Sequence, residues 1–329
     1  MIKWGMVGNS HDASLAVFDD NKLLWASLSK DFSKVPNDPD FNWTQIAVAE
    51  QSFGKPQKVI WYERPFLKTL RQWRAGQGWL RKENDIRAYL SDWGINCKIE
   101  YTQHHHSHAA YAYYTQPHDD CAVVCLDSIG EFETLTVWHG KNNKLKKIHS
   151  QGYPHSLGLF YSAMTQRLGL VPNRDEYLVA QWAKKGNAKR LAHVMRKELI
   201  DVDHNSNNPQ KIRMRHNMHR GCNWWRPELN TEQDMADIAA TTQHIFEQVL
   251  MCASSWIQMN IKTSNIILVG GCALNKTAVS KLESVWDDIW VPKNPGDPGS
   301  CIGAVCAKYH KHIDNSNEMW YNKDNGEAK

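Results

Sequence analysis

The apolar positions of this chain change their period along its length, and those changes mark its elements. Lys3 to Val7, Ala13 to Phe18 and Lys22 to Ser27 read as three short strands, joined by the polar turn Gly8-Asn-Ser-His-Asp12 and by Asp19-Asp-Asn21. Together they predict a meander that opens a sheet. Val59-Ile-Trp-Tyr62 adds a strand, Arg64 to Leu90 reads as helical, and Tyr101 to Tyr114 starts extended and turns helical near Ser107. After Pro117-His-Asp-Asp120 the pattern restarts. Cys121 to Leu126 is an apolar strand, Asp127-Ser-Ile-Gly130 a turn, and Thr134 to Trp138 and Lys144 to Ile148 are returning strands. Two meanders of one kind, each with an aspartate in its first turn, predict an internal duplication. Helices follow from Leu157 to Lys197 and from Thr231 to Met259, with a long polar loop expected over Asp201 to Asn230. Asn265 to Gly271 is a buried strand entering a glycine turn, and the polar tail from Asp314 is expected to be mobile, with Trp320 and Tyr321 able to dock.

At 329 residues and 42% hydrophobic content the chain can bury a sizeable core, which excludes disorder, collagen and coiled coil. The expected division is a first lobe over 1–118, a second over 119–310 with an insertion near 201–230, and a tail over 311–329. Apolar runs such as Ile266-Ile-Leu-Val269 are strand-length, so no membrane span is expected, and the N-terminus lacks the apolar stretch of a signal peptide. Eight cysteines with no Cys-x-x-Cys pair read as reduced thiols of a cytoplasmic protein. A formal charge of +4 is too small to announce a polyanionic partner. Its distribution changes the picture. Two segments interleave bases with tryptophan: Lys68, Arg71, Trp73, Arg74, Trp79, Arg81 and Lys82, then Lys211, Arg213, Arg215, Arg220, Trp224, Trp225 and Arg226.

The densest chemistry is His104-His-His-Ser-His108, where two histidines four apart share one helix face and can ligate one metal. Asp127 and Asp297 stand in turns and can add oxygen ligands, a set that suits iron, manganese or zinc better than calcium. The bland alternative is a solvated histidine-rich turn. His11-Asp12 sits where the first strand turns back, as an acid or base or as an Asx-type turn. Gly270-Gly-Cys-Ala-Leu-Asn275 joins a strand to a helix, so its N–H groups either face a phosphate or simply allow close packing. Cys125 and Cys272 lie near these turns but lack an adjacent base, and read as inert thiols.

Taken in order, His11-Asp-Ala-Ser14, Tyr62-Glu-Arg-Pro-Phe-Leu-Lys68, His104-His-His-Ser-His-Ala-Ala110 and Leu126-Asp-Ser-Ile-Gly-Glu131 form the first half of a longer series. Tyr153-Pro-His-Ser-Leu-Gly-Leu159, Asn173-Arg-Asp-Glu-Tyr177, Gly270 to Asn275 and Gly296-Asp-Pro-Gly299 complete it. The series resembles the carbamoyltransferase family of nodulation and antibiotic-tailoring enzymes, whose N-terminal half is similar to the threonylcarbamoyl-adenosine transferase of tRNA modification. The resemblance implies an α/β, actin-like ATPase fold, as in sugar kinases, with two duplicated lobes of mixed sheet flanked by helices. It implies a divalent metal, usually iron, on His104, His108, Asp127 and Asp297. ATP or carbamoyl-adenylate would lie on Ser128 and Gly130, on Asp175 and Glu176, and on Gly270, Gly271 and Asn275.

The implied reaction is O-carbamoyl transfer from carbamoyl-adenylate, made from carbamoyl phosphate and ATP, to an acceptor hydroxyl. His11 is the expected base and Asp12 its orienting partner. The family carries a second domain that makes the adenylate, whereas this chain ends 30 residues after Gly299, so a separate carbamoyl-activating protein is the expected partner. Ser128 stands where the family has glycine, and Gln181-Trp182 where it has Gly-Leu. The basic, aromatic segments suggest a nucleic acid or nucleotide acceptor, such as the hydroxymethyl group of 5-hydroxymethylcytosine. Competing expectations are a sugar or antibiotic-type acceptor, a tRNA threonylcarbamoyl-type transferase, and a silent nucleotide-binding subunit.

Overall fold

A computed structural model describes residues 1–10, 12–78, 82–202, 212–313 and 319–321. Strands β1 (Ile2–Val7), β2 (Ser14–Asp19) and β3 (Lys22–Leu28) form the first meander. Helices α1 (Ser29–Ser33) and α2 (Trp43–Phe53) follow, then β4 (Lys58–Trp61), α3 (Pro65–Arg74), α4 (Ile86–Asp92), β5 (Lys98–Tyr101) and α5 (His104–Tyr114). The sheet order is β3-β2-β1-β4-β5, with β1 antiparallel to β2 and parallel to β4. The second meander is β6 (Cys121–Gly130), β7 (Glu133–Lys141) and β8 (Lys144–Gly152). Helices α6 (Leu157–Arg167), α7 (Glu176–Trp182) and α8 (Ala188–Glu198) come next, then the hairpin β9 (Ile200–Val202) and β10 (Ile212–Met214). The chain continues through α9 (Glu232–Asn260), β11 (Asn265–Val269), α10 (Lys276–Val279), β12 (Asp288–Trp290) and α11 (Ser300–Tyr309).

The second large sheet runs β8-β7-β6-β11-β12, with β6 antiparallel to β7 and parallel to β11. Strand for strand this is the order and direction of the first sheet. The expected duplication is therefore a property of the backbone, and the protein has the actin-like α/β fold of two mixed sheets flanked by helices.

Strand β6 explains why its sequence is apolar without alternation, since both of its faces are covered. Cys121, Val123 and Cys125 join the core under the first sheet, whereas Ala122, Val124 and Leu126 join the core under α6 and α9. Helices α5 and α11 fill the space between the sheets. Gly303 of α11 is what lets them touch, because a Cβ there would lie 1.9 Å from the Ser107 carbonyl oxygen. Helix α9 is closed at its start by a capping box in which the Asp234 amide donates to Thr231 Oγ1 at 3.1 Å and the Thr231 amide to Asp234 Oδ2 at 3.2 Å. It buries Ile238, Ile245, Val249 and Ile257 along one side.

Several expected elements differ. Helix α5 begins at His104 rather than near Ser107, because its first turn packs against β6 instead of facing water. The helical stretch from Arg64 stops at Arg74, with Gly76 and Gly78 at positive φ, before α4 resumes the helix at Ile86. The expected turn at Asp127 to Gly130 is an irregular continuation of β6, paired again at Gly130 with Glu133. Over 201–230 the described part is not a plain loop: it contains β10, a short 3-10 turn at Met218–Arg220, and the fully buried Cys222 and Trp225. Trp320 bridges to Ala26 at the β3 edge and Tyr321 stacks on Phe32 with centroids 4.9 Å apart, so the tail does dock there.

Candidate active site

The histidine run divides its work because successive helical residues point about 100° apart. His104 and His108, one turn apart, turn their Nε2 atoms toward each other at 3.0 Å. His105 instead contacts Thr136 Oγ1 through Nδ1 at 3.1 Å, and burial holds its pKa well below the ordinary value. His106 stacks on Trp138 with ring centroids 5.1 Å apart, and burial lowers its pKa to about 4. Asp127 arrives from β6, Oδ2 lying 3.2 Å from His104 Nε2, and Asp297 from the turn before α11, Oδ1 lying 3.2 Å from His108 Nε2 and 3.3 Å from His104 Nε2. One ligand atom from each of these four residues falls within 4.8 Å of every other.

This donor set fits a first-row metal ion. Two imidazole nitrogens facing each other and two carboxylate oxygens, three of the four residues buried and Asp127 partly so, require a cation between them, either a proton or a metal. Burial disfavours charge on His104, but Asp297, Asp127 and Glu63 outweigh it and hold its pKa well above the ordinary value. Asp127 is likewise displaced, since burial opposes its charge and the His104 contact more than compensates, leaving it below the usual carboxylate range. Ser10 Oγ donates to Asp297 Oδ2 at 2.9 Å and the Gly271 amide to Asp127 Oδ1 at 3.3 Å, so both aspartates are fixed from outside the cluster.

The cluster lies where two clefts meet. Asp127, Ser128, Ser162, Asn173 and Asp297 line both. The first, of about 450 Å³, is walled by Glu63, Lys68, Arg71, Glu131, His219 and Arg220. The second, of about 260 Å³, is walled by Asp12, Lys30, Glu176, Gly271, Asn275 and Lys293 among others.

The sequence-expected nucleotide residues scatter across this plan. Ser128, Glu176, Gly271 and Asn275 line the second cleft. Glu176 Oε1 accepts from the Asn173 amide at 2.6 Å and from Ser162 Oγ at 3.1 Å. Asn275 caps α10 and exchanges hydrogen bonds with Gln243. Gly130, Gly270 and Asp175 line neither cleft. A Cβ at Gly130 would meet His104 Cδ2 at 2.3 Å, so that glycine makes room for the histidine. Gly270, at φ +91°, lies against the Leu126 carbonyl, and Asp175 pairs with Arg174 and the Val171 amide. Asp12 has Oδ2 3.8 Å from Lys30 Nζ and a buried Oδ1 without a hydrogen-bond partner among the described residues. His11 lies outside the described residues, as do Trp79, Arg81 and Lys211.

Burial pushes the thiols of Cys125 and Cys272 well above the ordinary value, in keeping with inert sulfur. Of the tryptophans in the basic segments, Trp225 is core, its Nε1 donating to Glu198 Oε2 at 2.9 Å, whereas Trp73 and Trp224 are 57% and 54% exposed. The two segments meet across the first cleft, where Gln77 Nε2 and His219 Nε2 are 3.1 Å apart. Ser10, Glu63 and Glu131 line the first cleft, and pattern reading did not single them out. The only signal was their place within or beside the segments that carry the resemblance, whereas Arg71, in the same wall, belongs to the basic segment already noted.

Residues 64–306 match the model of the carbamoyltransferase N-terminus. The chain belongs to the carbamoyltransferase family. Among its relatives, the Uncharacterized protein sll1178 of Synechocystis is 27% identical over 94% of this chain and 57% of its own length. Nodulation protein NolO of Bradyrhizobium diazoefficiens is 25% identical over 61% of this chain and 37% of its own length. Nodulation protein U of the same organism is 48% identical over 13% of this chain and 8% of its own. The chain thus spans about half the length, or less, of the curated relatives it matches. A solved structure, a putative N-acetylmannosamine kinase from Listeria monocytogenes, covers 94% of this chain and aligns over 98% of its own, at TM-score 0.44 and 10% identity. No helix among the described residues is long and apolar enough to cross a membrane.

Proposed function

We propose that the His104, His108, Asp127 and Asp297 cluster is the metal centre of an O-carbamoyltransferase, with donor and acceptor admitted from opposite clefts. The observation that carries this reading is that the cluster stands at the junction of the two clefts, with Asp127 and Asp297 lining both and His104 lining the first. A bound divalent ion, iron by family resemblance, would supply Lewis acidity toward the carbamoyl carbonyl and neutralise charge that develops there.

Carbamoyl-adenylate, made from carbamoyl phosphate and ATP, is assigned to the second cleft, against Ser128, Glu176, Gly271 and Asn275. The acceptor oxygen attacks the carbamoyl carbon, a new C–O bond forms, the bond to the phosphate oxygen breaks, and AMP leaves with that electron pair. The hydroxyl proton passes to a base, for which His11, oriented by Asp12, is the candidate. Lys30 and Lys293, in the wall of the second cleft, are suited to the phosphate of the leaving AMP.

The first cleft is assigned to the acceptor. Support for a nucleic acid or nucleotide comes from the convergence there of the two basic, aromatic segments, with Arg71 and Arg220 in the wall and Trp73 and Trp224 exposed on the same segments. Ordinary bases carry no alcohol, so the hydroxymethyl group of 5-hydroxymethylcytosine is the acceptor of this class that fits the chemistry. In a duplex it would be reached in the major groove or by extruding the base.

The test is to incubate the chain with carbamoyl phosphate and ATP, with and without a carbamoyl-activating protein. Hydroxymethylcytosine DNA, the free nucleotide and simple sugars are presented in parallel at two salt concentrations, and mass spectrometry looks for a carbamoyl adduct. Modification of the DNA that weakens with salt supports the assignment. Modification of a sugar alone refutes the acceptor, and no modification under any condition refutes the transfer reading.

A further inference from the structure

We infer that Glu63, held by Lys68, is the positioning residue that orients His104 toward the cation of the cluster; this rests on the metal reading above. Glu63 stands two residues beyond the end of β4, and its side chain is 5% exposed. One carboxylate oxygen, Oε1, accepts from Lys68 Nζ at 2.6 Å, a residue of the first turn of α3. The other, Oε2, lies 3.9 Å from His104 Nδ1. That nitrogen is buried and has no hydrogen-bond partner among the described residues, while Nε2 of the same ring faces Asp127 and Asp297.

A buried ring nitrogen without a partner is rare, and its neighbour here is a carboxylate that a side-chain rotation of about 1 Å brings into hydrogen-bond range. Donation from Nδ1–H to Glu63 leaves the Nε2 lone pair directed into the cluster and makes that nitrogen a stronger donor. Lys68 has a separate part. Glu63 would otherwise add a third negative charge beside Asp127 and Asp297, and its pairing with Lys68 orients His104 without adding net charge. His108 shows the contrast, because its Nδ1 is also buried without a partner and no carboxylate is paired with it among the described residues.

The rival account is that Glu63 and Lys68 are only an ion pair tying α3 to the end of β4. Co(II) binding separates the two, since its visible spectrum reports ligand geometry as well as affinity. The full chain, stripped with a chelator, is titrated with Co(II) as wild type, as Glu63→Gln and as Glu100→Gln. Glu100 pairs with Lys58 at 2.9 Å on the sheet, away from the cluster, and serves as the ion-pair control. Glu63→Gln should bind Co(II) about 10–100-fold more weakly, with displaced visible bands and a melting curve that remains cooperative. Glu100→Gln should bind as wild type does. If Glu63→Gln does not fold, Glu63→Asp takes its place: it keeps the charge beside Lys68, draws the carboxylate away from His104, and should show the same weakening. Wild-type affinity and spectrum in either Glu63 variant overturns the positioning role while leaving the metal centre standing. Failure of the wild type itself to bind Co(II) overturns both.

Discussion

Replacing Gly303 by alanine tests whether the packing of α5 on α11 is what holds the site together. The new Cβ would sit 1.9 Å from the Ser107 carbonyl oxygen and 2.8 Å from Tyr111 Cβ. Ordinary van der Waals contact begins at 3.4 Å, so the helices must separate locally by about 1.5 Å. Two effects compete. Glycine to alanine inside a helix gains about 1 kcal/mol from propensity alone. Overpacking costs roughly 1–3 kcal/mol, and a clash against backbone, which cannot rotate away, falls at the upper end. The clash wins by about 2 kcal/mol. With an unfolding entropy near 2.1 cal/mol/K per residue over 329 residues, that is a fall in Tm of about 3 °C.

Ser107 lies between His104 and His108, so the same displacement shifts both imidazoles relative to Asp127 and Asp297, and metal affinity should fall as well. The assay is thermal unfolding by circular dichroism, with and without added Co(II), beside metal content after purification. A rise in Tm of 1–2 °C, the sign that propensity alone would give, refutes the close-packing argument. Unchanged metal content together with the lower Tm would show that the cluster does not depend on this helix contact.

Two further outcomes follow from the same structure. Purified protein should carry roughly one first-row metal per chain, and His108→Ala, which removes one of the four candidate ligands, should release it; elemental analysis decides, and fully active metal-free wild type refutes the site. The capping box lowers Asp234 to about 2, chiefly through the Thr231 hydroxyl and then Arg190. A carboxylate depressed in the folded state binds its proton later than in the unfolded chain. Its stabilisation is therefore complete above the unfolded value of 3.8 and is lost as pH falls through about 2. Denaturant titrations of wild type and Thr231→Ala should show a gap of roughly 0.5–2 kcal/mol at neutral pH that narrows over that interval, and a gap independent of pH would sink this account.

The sequence by itself determined the strands of both meanders, because a strand covered on one face alternates apolar and polar residues and one covered on both faces is apolar in a run of four to eight, and Cys121 to Leu126 could not be hidden otherwise. It also determined that His104 and His108 share a helix face, since a four-residue separation is nearly one full turn. The start of α9 was legible as well, because Thr231 and Asp234 are local partners three residues apart.

Tertiary structure alone decided what lies far apart in the chain. The start of α5 at His104 depends on burial against β6, which no local propensity contains. Trp225 and Trp224 are neighbours of the same type, yet one fills the core under α6 and α9 while the other meets solvent, a choice set by how the 212–226 segment crosses the second lobe. Gly130 had the look of a phosphate turn and instead serves as clearance for an imidazole, because what a missing side chain makes room for is known only once its neighbour is in place. The pairing of Glu63 with Lys68 and its approach to His104, and the convergence of the two basic segments on one cleft, join residues 5, 41 and more than 140 positions apart. Sequence spacing carries the short-range part of such a site through helix and strand periods, but the long-range part is set by how two sheets close on the helices between them.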